Sequence, residues 1–201
     1  MFKTELENVS YSFGVNIAQN MKQQGMNEIN ADLLAKGITD YLAGGELQIQ
    51  EDQIQNILQK YFKELQEKQF EGNIVKGKDF LAENAKREGV TSLESGLQYE
   101  VITEGTGAKP SATDKVTTHY HGTLIDGTVF DSSVDRGEPA TFPVNGVIKG
   151  WIEALQLMNM GSKWKLYIPE NLAYGANPHP GGPIEPYSTL IFDIELISIE
   201  K

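Results

Sequence analysis

Cysteine is missing from all 201 residues. That excludes disulfides, thiol nucleophiles and cysteine-ligated metal, and it is compatible with any compartment. Proline is missing from the first half, because all 8 prolines lie at or after Pro110. Both tryptophans, Trp151 and Trp164, also fall in the second half. Basic side chains are scarce: 17 Lys and Arg stand against 28 Asp and Glu, a formal net charge of -11. Such a chain repels phosphate backbones, which excludes nucleic acid as a partner. No apolar run approaches the about 20 residues that a bilayer-crossing helix needs, so no transmembrane segment is expected. The opening stretch MFKTELENVSYSF lacks the charged-then-apolar pattern of a secretion signal. As written, the chain reads as cytoplasmic; if a signal has been removed, the expected place is the periplasm or cell envelope.

The proline-free half reads as helix. Leu6, Val9, Phe13, Ile17 and Met21 recur at three- and four-residue steps and share one face. Gly25 is the expected stop. Asn30 is the expected N-cap of a second helix carrying Leu34, Ile38, Tyr41 and Leu42 on one side, ended by Gly44 and Gly45. A third helix starts near Glu51, with acids in its first turn where the helix dipole favours them. Its stripe is Ile54, Ile57, Leu58, Tyr61, Phe62 and Leu65, and amphipathic character continues to about Glu88, weakened at Gly72 and Gly77. About 38 helical residues would reach roughly 55 Å, more than any core of this chain can span. The expectation is a stalk helix, whole or broken once. Two arrangements are open for these segments: a small independent helical domain, or an arm that completes its core with a second copy. The arm is preferred, because short amphipathic helices leading into a stalk have little of their own to pack against. Residues 1–88 are assigned to this helical dimerisation arm and stalk.

From about Gly96 the period changes. The stretches beginning at Leu97, Val116, Lys163 and Leu190 read as strands; the last places Leu190, Phe192, Ile194 and Leu196 on one face. Asp126-Gly127 between apolar stretches signals a hairpin. A single short helix is expected from Trp151 to about Met158. Strands with one short helix suggest an α+β domain, an antiparallel sheet packed on that helix. Other signals have plain readings. His119 and His121 share a strand face but lack a convincing third ligand, so no metal is expected. Asp126, Asp131 and Asp135 lack the spacing of a calcium loop. Gly105-Thr106-Gly107 is a turn, not a phosphate cradle, since no helix follows it. No cofactor is implied.

Several motifs in the second half carry a family likeness. Tyr120-His121-Gly122, Asp126-Gly127 and Val129-Phe130-Asp131-Ser132-Ser133 come first. Val147-Ile148-Lys149-Gly150-Trp151, Met160-Gly161 and Ile168-Pro169 follow, then Ala173-Tyr174-Gly175 and Ser188-Thr189-Leu190-Ile191-Phe192-Asp193. This series, over roughly residues 95–201, resembles the FKBP-type peptidyl-prolyl cis/trans isomerases. The helical half, with Pro139-Ala140-Thr141-Phe142 and Glu153 to Met158, looks like the macrophage-infectivity-potentiator subgroup. The resemblance implies a half-wrapped antiparallel sheet with a short helix across its concave face and a shallow aromatic pocket between them. Tyr120, Asp131, Ile148 and Tyr174 would be its catalytic residues, the Ile148 N–H and the Tyr174 hydroxyl binding substrate carbonyls. Phe130, Arg136, Phe142, Val147, Trp151, Ile184 and Phe192 would bind substrate, with Trp151 as the floor. Ala140 replaces a pocket aromatic of the archetypal domain, and the loop from Asn177 to Pro186 is one residue longer than in that domain, which leaves His179 and Ile184 least securely placed.

The implied substrates are proline-containing polypeptides. Macrolides such as tacrolimus or rapamycin are the implied inhibitors, and the assembly a homodimer that assists proline-limited folding. The competing reading is a non-catalytic binding module of the same fold acting as a chaperone. Isomerisation makes and breaks no covalent bond, so a chain without cysteine or a persuasive acid/base constellation suits it.

Overall fold

The computed structural model describes residues 2–200 and divides into two compact units, Met1–Gln69 and Phe70–Lys201. The first unit holds three helices: α1 (Glu5–Gln23), α2 (Ala31–Leu42) and α3 (Glu51–Gln69). Thr4 caps α1 by accepting from the Glu7 N–H at 3.2 Å, while the Glu7 carboxylate accepts from the Thr4 N–H at 2.9 Å. At the other end Gly25 stands at φ +84°. Gly25 donates to the Lys22 carbonyl and Met26 to that of Met21, the Schellman closure that only a glycine-like backbone permits. Asn30 caps α2 through the Leu33 N–H. Good ends do not give these helices a core: none of the described residues in α1, α2 or α3 is buried. Leu6, Phe13, Tyr41 and Leu42 are at least 65% exposed.

The expected stalk is broken once, at Phe70. α3 stops at Gln69, and α4 (Glu71–Asn84) begins after Phe70 leaves helical geometry at φ -108°, ψ 21°. The expected stalk is thus two helices of 19 and 14 residues, and α4 falls in the second unit. Packing explains that membership. Gly77 lies so close to Thr189, just before β7, that a Cβ would come 2.4 Å from its hydroxyl, and Asn84 and Gln98 form a buried amide pair at 2.8 Å.

The second unit is built on one antiparallel sheet of seven strands. They are β1 (Val90–Ser92), β2 (Gln98–Thr103), β3 (Lys115–Leu124), β4 (Val129–Ser132), β5 (Ala140–Pro143), β6 (Lys163–Ile168) and β7 (Leu190–Glu200). The order is β1-β2-β6-β7-β3-β4, with β5 also paired to β3. The Asp126-Gly127 hairpin joins β3 to β4, Gly127 at φ +87°. β7 alternates as its sequence requires: Leu190, Phe192, Ile194 and Leu196 are buried and share a face. α6 (Lys149–Leu157) lies over that face, and Leu155, Met158, Leu166, Ile168 and Ile194 are wholly buried in the common core. α4 covers the opposite face, where Phe80 meets Tyr167 at 6.0 Å and Arg87 donates to the Tyr167 hydroxyl. The expected single short helix is α6. The structure adds α5 (Ser133–Arg136), one turn capped by the Ser132 hydroxyl accepting from the Asp135 N–H at 3.1 Å.

Candidate functional site

Between α6 and the sheet lies a cavity of about 630 Å³. Ten of the eleven residues named from the sequence line it: Tyr120, Phe130, Asp131, Phe142, Val147, Ile148, Trp151, Tyr174, Ile184 and Phe192. The eleventh, Arg136, stands at the edge and reaches two of the others. Its guanidinium pairs with the Asp131 carboxylate and donates to the Tyr120 hydroxyl at 2.8 Å.

Trp151 forms the floor. It is the third residue of α6, in the turn after Ile148 caps the helix at φ -62°, ψ 151°, and only 4% of it is exposed. Three rings stand on edge around it: Tyr120 at 5.3 Å, Phe192 at 5.2 Å and Phe142 at 5.9 Å, with interplanar angles between 80° and 89°. Phe130 in turn meets Phe192 edge-on at 5.3 Å. These edge-to-face contacts fix the rings and leave an apolar, flat-bottomed site. Gly122 makes the arrangement possible, since a Cβ there would fall 2.6 Å from Phe130 and 2.9 Å from Phe192.

The polar groups sit on one side. The Tyr120 hydroxyl donates to Asp131 at 2.5 Å while it accepts from Arg136, whose guanidinium also lies 5.5 Å from the Tyr120 ring. Burial pushes the Asp131 carboxyl up, but the Tyr120 hydroxyl and Arg136 together hold it below the usual carboxylate range. Burial, then the hydrogen bond to Asp131, push the Tyr120 hydroxyl above its ordinary value, against the pull of Arg136. Burial also raises Tyr174, with a smaller push from the Asp131 charge. Both phenols therefore stay protonated as donors at neutral pH, and Asp131 stays ionised.

The sequence reading passed over some contributors. Gly146, Gly182 and Pro183 also line the cavity; His179, whose placement the sequence left insecure, lines it as well, its ring 5.7 Å from that of Tyr174. The Pro- and Gly-rich composition of residues 177–186 was the available signal for a wall made largely of backbone. Ser133 was unmarked as well: its hydroxyl accepts from the Tyr120 N–H at 2.7 Å and anchors the strand beneath the ring. His119 and His121 are engaged with the hydroxyls of Ser133 and Ser132 at 3.1 and 2.9 Å. Among the described residues no group of three His, Cys, Asp or Glu is placed to hold a metal ion.

Comparison with known proteins decides which family carries this site. A family model described as FKBP-type peptidyl-prolyl cis-trans isomerase matches residues 106–197. A second, described as the domain amino terminal to FKBP-type peptidyl-prolyl isomerase, matches residues 6–101. The chain belongs to the FKBP-type peptidyl-prolyl cis-trans isomerases. The isomerase is 49% identical over 205 residues to the outer membrane protein MIP of Legionella longbeachae, covering 98% of this chain and 87% of that protein. It is 47% identical to the FKBP-type 22 kDa peptidyl-prolyl cis-trans isomerase of Escherichia coli K12, covering 98% of this chain and 97% of the relative. Among solved structures, FkpA from Escherichia coli superposes at a TM-score of 0.64 with 36% identity, covering 100% of this chain and 99% of that one. The expected family, the infectivity-potentiator likeness and the α+β architecture with a helical N-terminal region therefore hold. The chain is an enzyme that isomerises the peptide bond preceding proline. No helix among the described residues is long and apolar enough to cross a membrane.

Proposed function

We propose that the reaction takes place in the aromatic cavity, with the prolyl ring of the substrate laid against the Trp151 indole. Tyr120, Asp131, Ile148 and Tyr174 are its catalytic residues, and Phe130, Arg136, Phe142, Val147, Trp151, Ile184 and Phe192 bind substrate. The Xaa–Pro amide resists rotation by about 20 kcal/mol because resonance must be lost on the way. The twisted amide is less polar than the planar one, so an apolar cavity holds it at smaller cost. The Ile148 N–H and the Tyr174 hydroxyl then keep flanking carbonyls in place, and the Asp131–Arg136 pair keeps the Tyr120 hydroxyl oriented. A thousandfold acceleration requires about 4 kcal/mol of this preference. The observation that carries the assignment is Trp151, 4% exposed and ringed edge-on by Tyr120, Phe142 and Phe192.

The natural substrates are proline-containing polypeptides during folding, and tacrolimus or rapamycin would occupy the same cavity. Residues 1–88 serve as the dimerisation arm and stalk, with the stalk's α4 packed on the sheet, and residues 95–201 as the catalytic domain. A homodimer through the arm is supported by the exposed apolar faces of α1 and α2 and by a groove of about 580 Å³ between them, lined by Ile17, Met21, Met26, Leu34 and Ile38. The Legionella relative is named an outer membrane protein; on that likeness the cell envelope is the proposed place of work, to be checked by fractionation. The test of the site is exchange of a short Xaa–Pro peptide by NMR, with and without rapamycin. Rapid exchange stopped by the drug supports the assignment. Drug binding without any acceleration would return the chain to the non-catalytic binding-module reading.

A further inference from the structure

A second cavity adjoins the first. It measures about 540 Å³ and is lined by Asn73 and Lys76 from α4, by Leu124, Ile125, Asp126 and Thr128 around the β3–β4 hairpin, and by Pro183, Glu185, Ser188 and Thr189. Pro183 lines both cavities, so a single exposed proline ring forms the ridge between them. We propose that this groove holds the stretch of polypeptide substrate flanking the isomerised bond, so that α4 is part of the substrate-binding surface. This rests on the aromatic cavity being the isomerisation site.

The groove is a fixed feature of the fold. Asn73 donates from its amide both to the Glu185 carboxylate at 3.0 Å and to the Pro186 carbonyl at 3.1 Å, which ties the start of α4 to the loop carrying Pro183. One turn further along, the close approach of Gly77 to Thr189 sets the depth of the groove. On the far side the hairpin is locked by the Leu124 N–H donating to the Thr128 carbonyl and the Thr128 N–H donating to Asp126. Three elements thus hold the walls at a set spacing before any substrate arrives.

The lining suits an extended peptide. Leu124 and Ile125 give an apolar base, half-buried, while the rim offers hydroxyls at Thr128 and Ser188 and charges of both signs. Among the described residues Lys76 makes no ion pair within 4.0 Å; its charge is felt by the Asp126 carboxylate across the groove, and its ammonium is exposed to a substrate carbonyl or carboxylate. A rim of mixed charge imposes no strong sequence filter, as an enzyme acting on many unfolded chains requires. Each extended residue advances about 3.3 Å, so a flank of a few residues beyond the proline crosses the ridge and enters the groove.

The experiment uses the full chain. Turnover is measured on a proline tetrapeptide and on a dodecapeptide with the same central Xaa–Pro pair, for the wild type, Thr128→Arg and Lys76→Glu. Both replaced side chains are exposed and outside the aromatic cavity. The expected result is a kcat/KM about tenfold higher for the long peptide in the wild type, the worth of one or two net hydrogen bonds, carried in KM. Both variants should lose most of that gain while their tetrapeptide rates stay within about twofold. Amide NMR of the wild type should show the long peptide, and not the short one, shifting residues 73–76 and 126–128. No length dependence, a gain that survives in both variants, or shifts confined to the aromatic cavity would overturn the proposal. Failure on the tetrapeptide itself would strike the site assignment instead, so the two readings fail separately.

Discussion

The two units both carry regular apolar stripes, helical in the first and helical and strand-like in the second, yet dispose of them in opposite ways. In Phe70–Lys201 the stripes of α6, β6 and β7 meet and leave a dry core in which Leu155, Leu166 and Ile194 are wholly buried. In Met1–Gln69 the stripes of α1, α2 and α3 are equally regular, but not one of their described residues is buried. Regular patterning therefore shows which face seeks cover, not whether the same chain supplies it. The second unit covers its own apolar faces; the first leaves its faces exposed.

The largest effect that could break this contrast comes from cutting between Gln69 and Phe70. The fragment 70–201 should stay folded and monomeric and keep its activity on short peptides, while residues 1–69 alone should be mostly unfolded at micromolar concentration. Circular dichroism and sedimentation check both; a dimeric 70–201 fragment would move the association surface into the catalytic unit. Next comes a paired truncation. Leu155→Ala, at a wholly buried site, should destabilise the catalytic unit by about 3 kcal/mol. Leu6→Ala, at a site 75% exposed, should leave its melting untouched and instead raise the dimer dissociation constant.

Asp131→Val sharpens the contrast from the other side. It frees Arg136 and the Tyr120 hydroxyl, so kcat/KM should fall about tenfold while melting and sedimentation stay as they were. Unchanged activity would reduce the Asp131–Arg136 pair to a surface contact. The dependence on pH is gentler. A carboxyl with a lowered folded value contributes its stabilisation above its unfolded value and loses it as pH falls through the folded one, so activity should decline only below about pH 4. A phenol with a raised folded value behaves in reverse, and Tyr120 should hold its proton beyond about pH 10. The smallest change is Lys36→Ala in α2, which breaks an exposed pair with Asp40 and should cost no more than about 0.5 kcal/mol of helix stability.

Local rules made much of the fold legible. Gly25 marks a helix end because its backbone accepts a positive φ, Asn30 because its side chain accepts from a free helix N–H, and β7 declares itself by strict alternation. Two turns of the same grammar went unread: Thr4-x-x-Glu7 and Ser132-x-x-Asp135 each open a helix, the second being the one that delivers Arg136 to the pocket. The placement of α4 was beyond local rules. It depends on Gly77 fitting over Thr189, on Asn84 meeting Gln98 and on Arg87 reaching Tyr167, contacts set only when distant segments come together. The pocket aromatics were legible through family likeness. Taken singly, Trp151 and Tyr174 look like ordinary core residues, and nothing in their spacing says that they share a cavity with Ile184.

The position of β7 has a consequence for how the protein is made. It follows every other strand in the chain yet lies between β6 and β3, pairing Trp164 with Ile194 on one side and Tyr120 with the same residue on the other. Until β7 has left the ribosome, the two halves of the sheet have nothing to join them, and the cavity has neither Phe192 nor a closed floor. The helices of the first unit need only contacts close in sequence, but with none of their described residues buried they gain lasting order only when their apolar faces find cover. Synthesis thus delivers the exposed apolar helices early and completes the cavity last; if the proposed dimer forms, its association surface is out of the ribosome well before the catalytic unit can close.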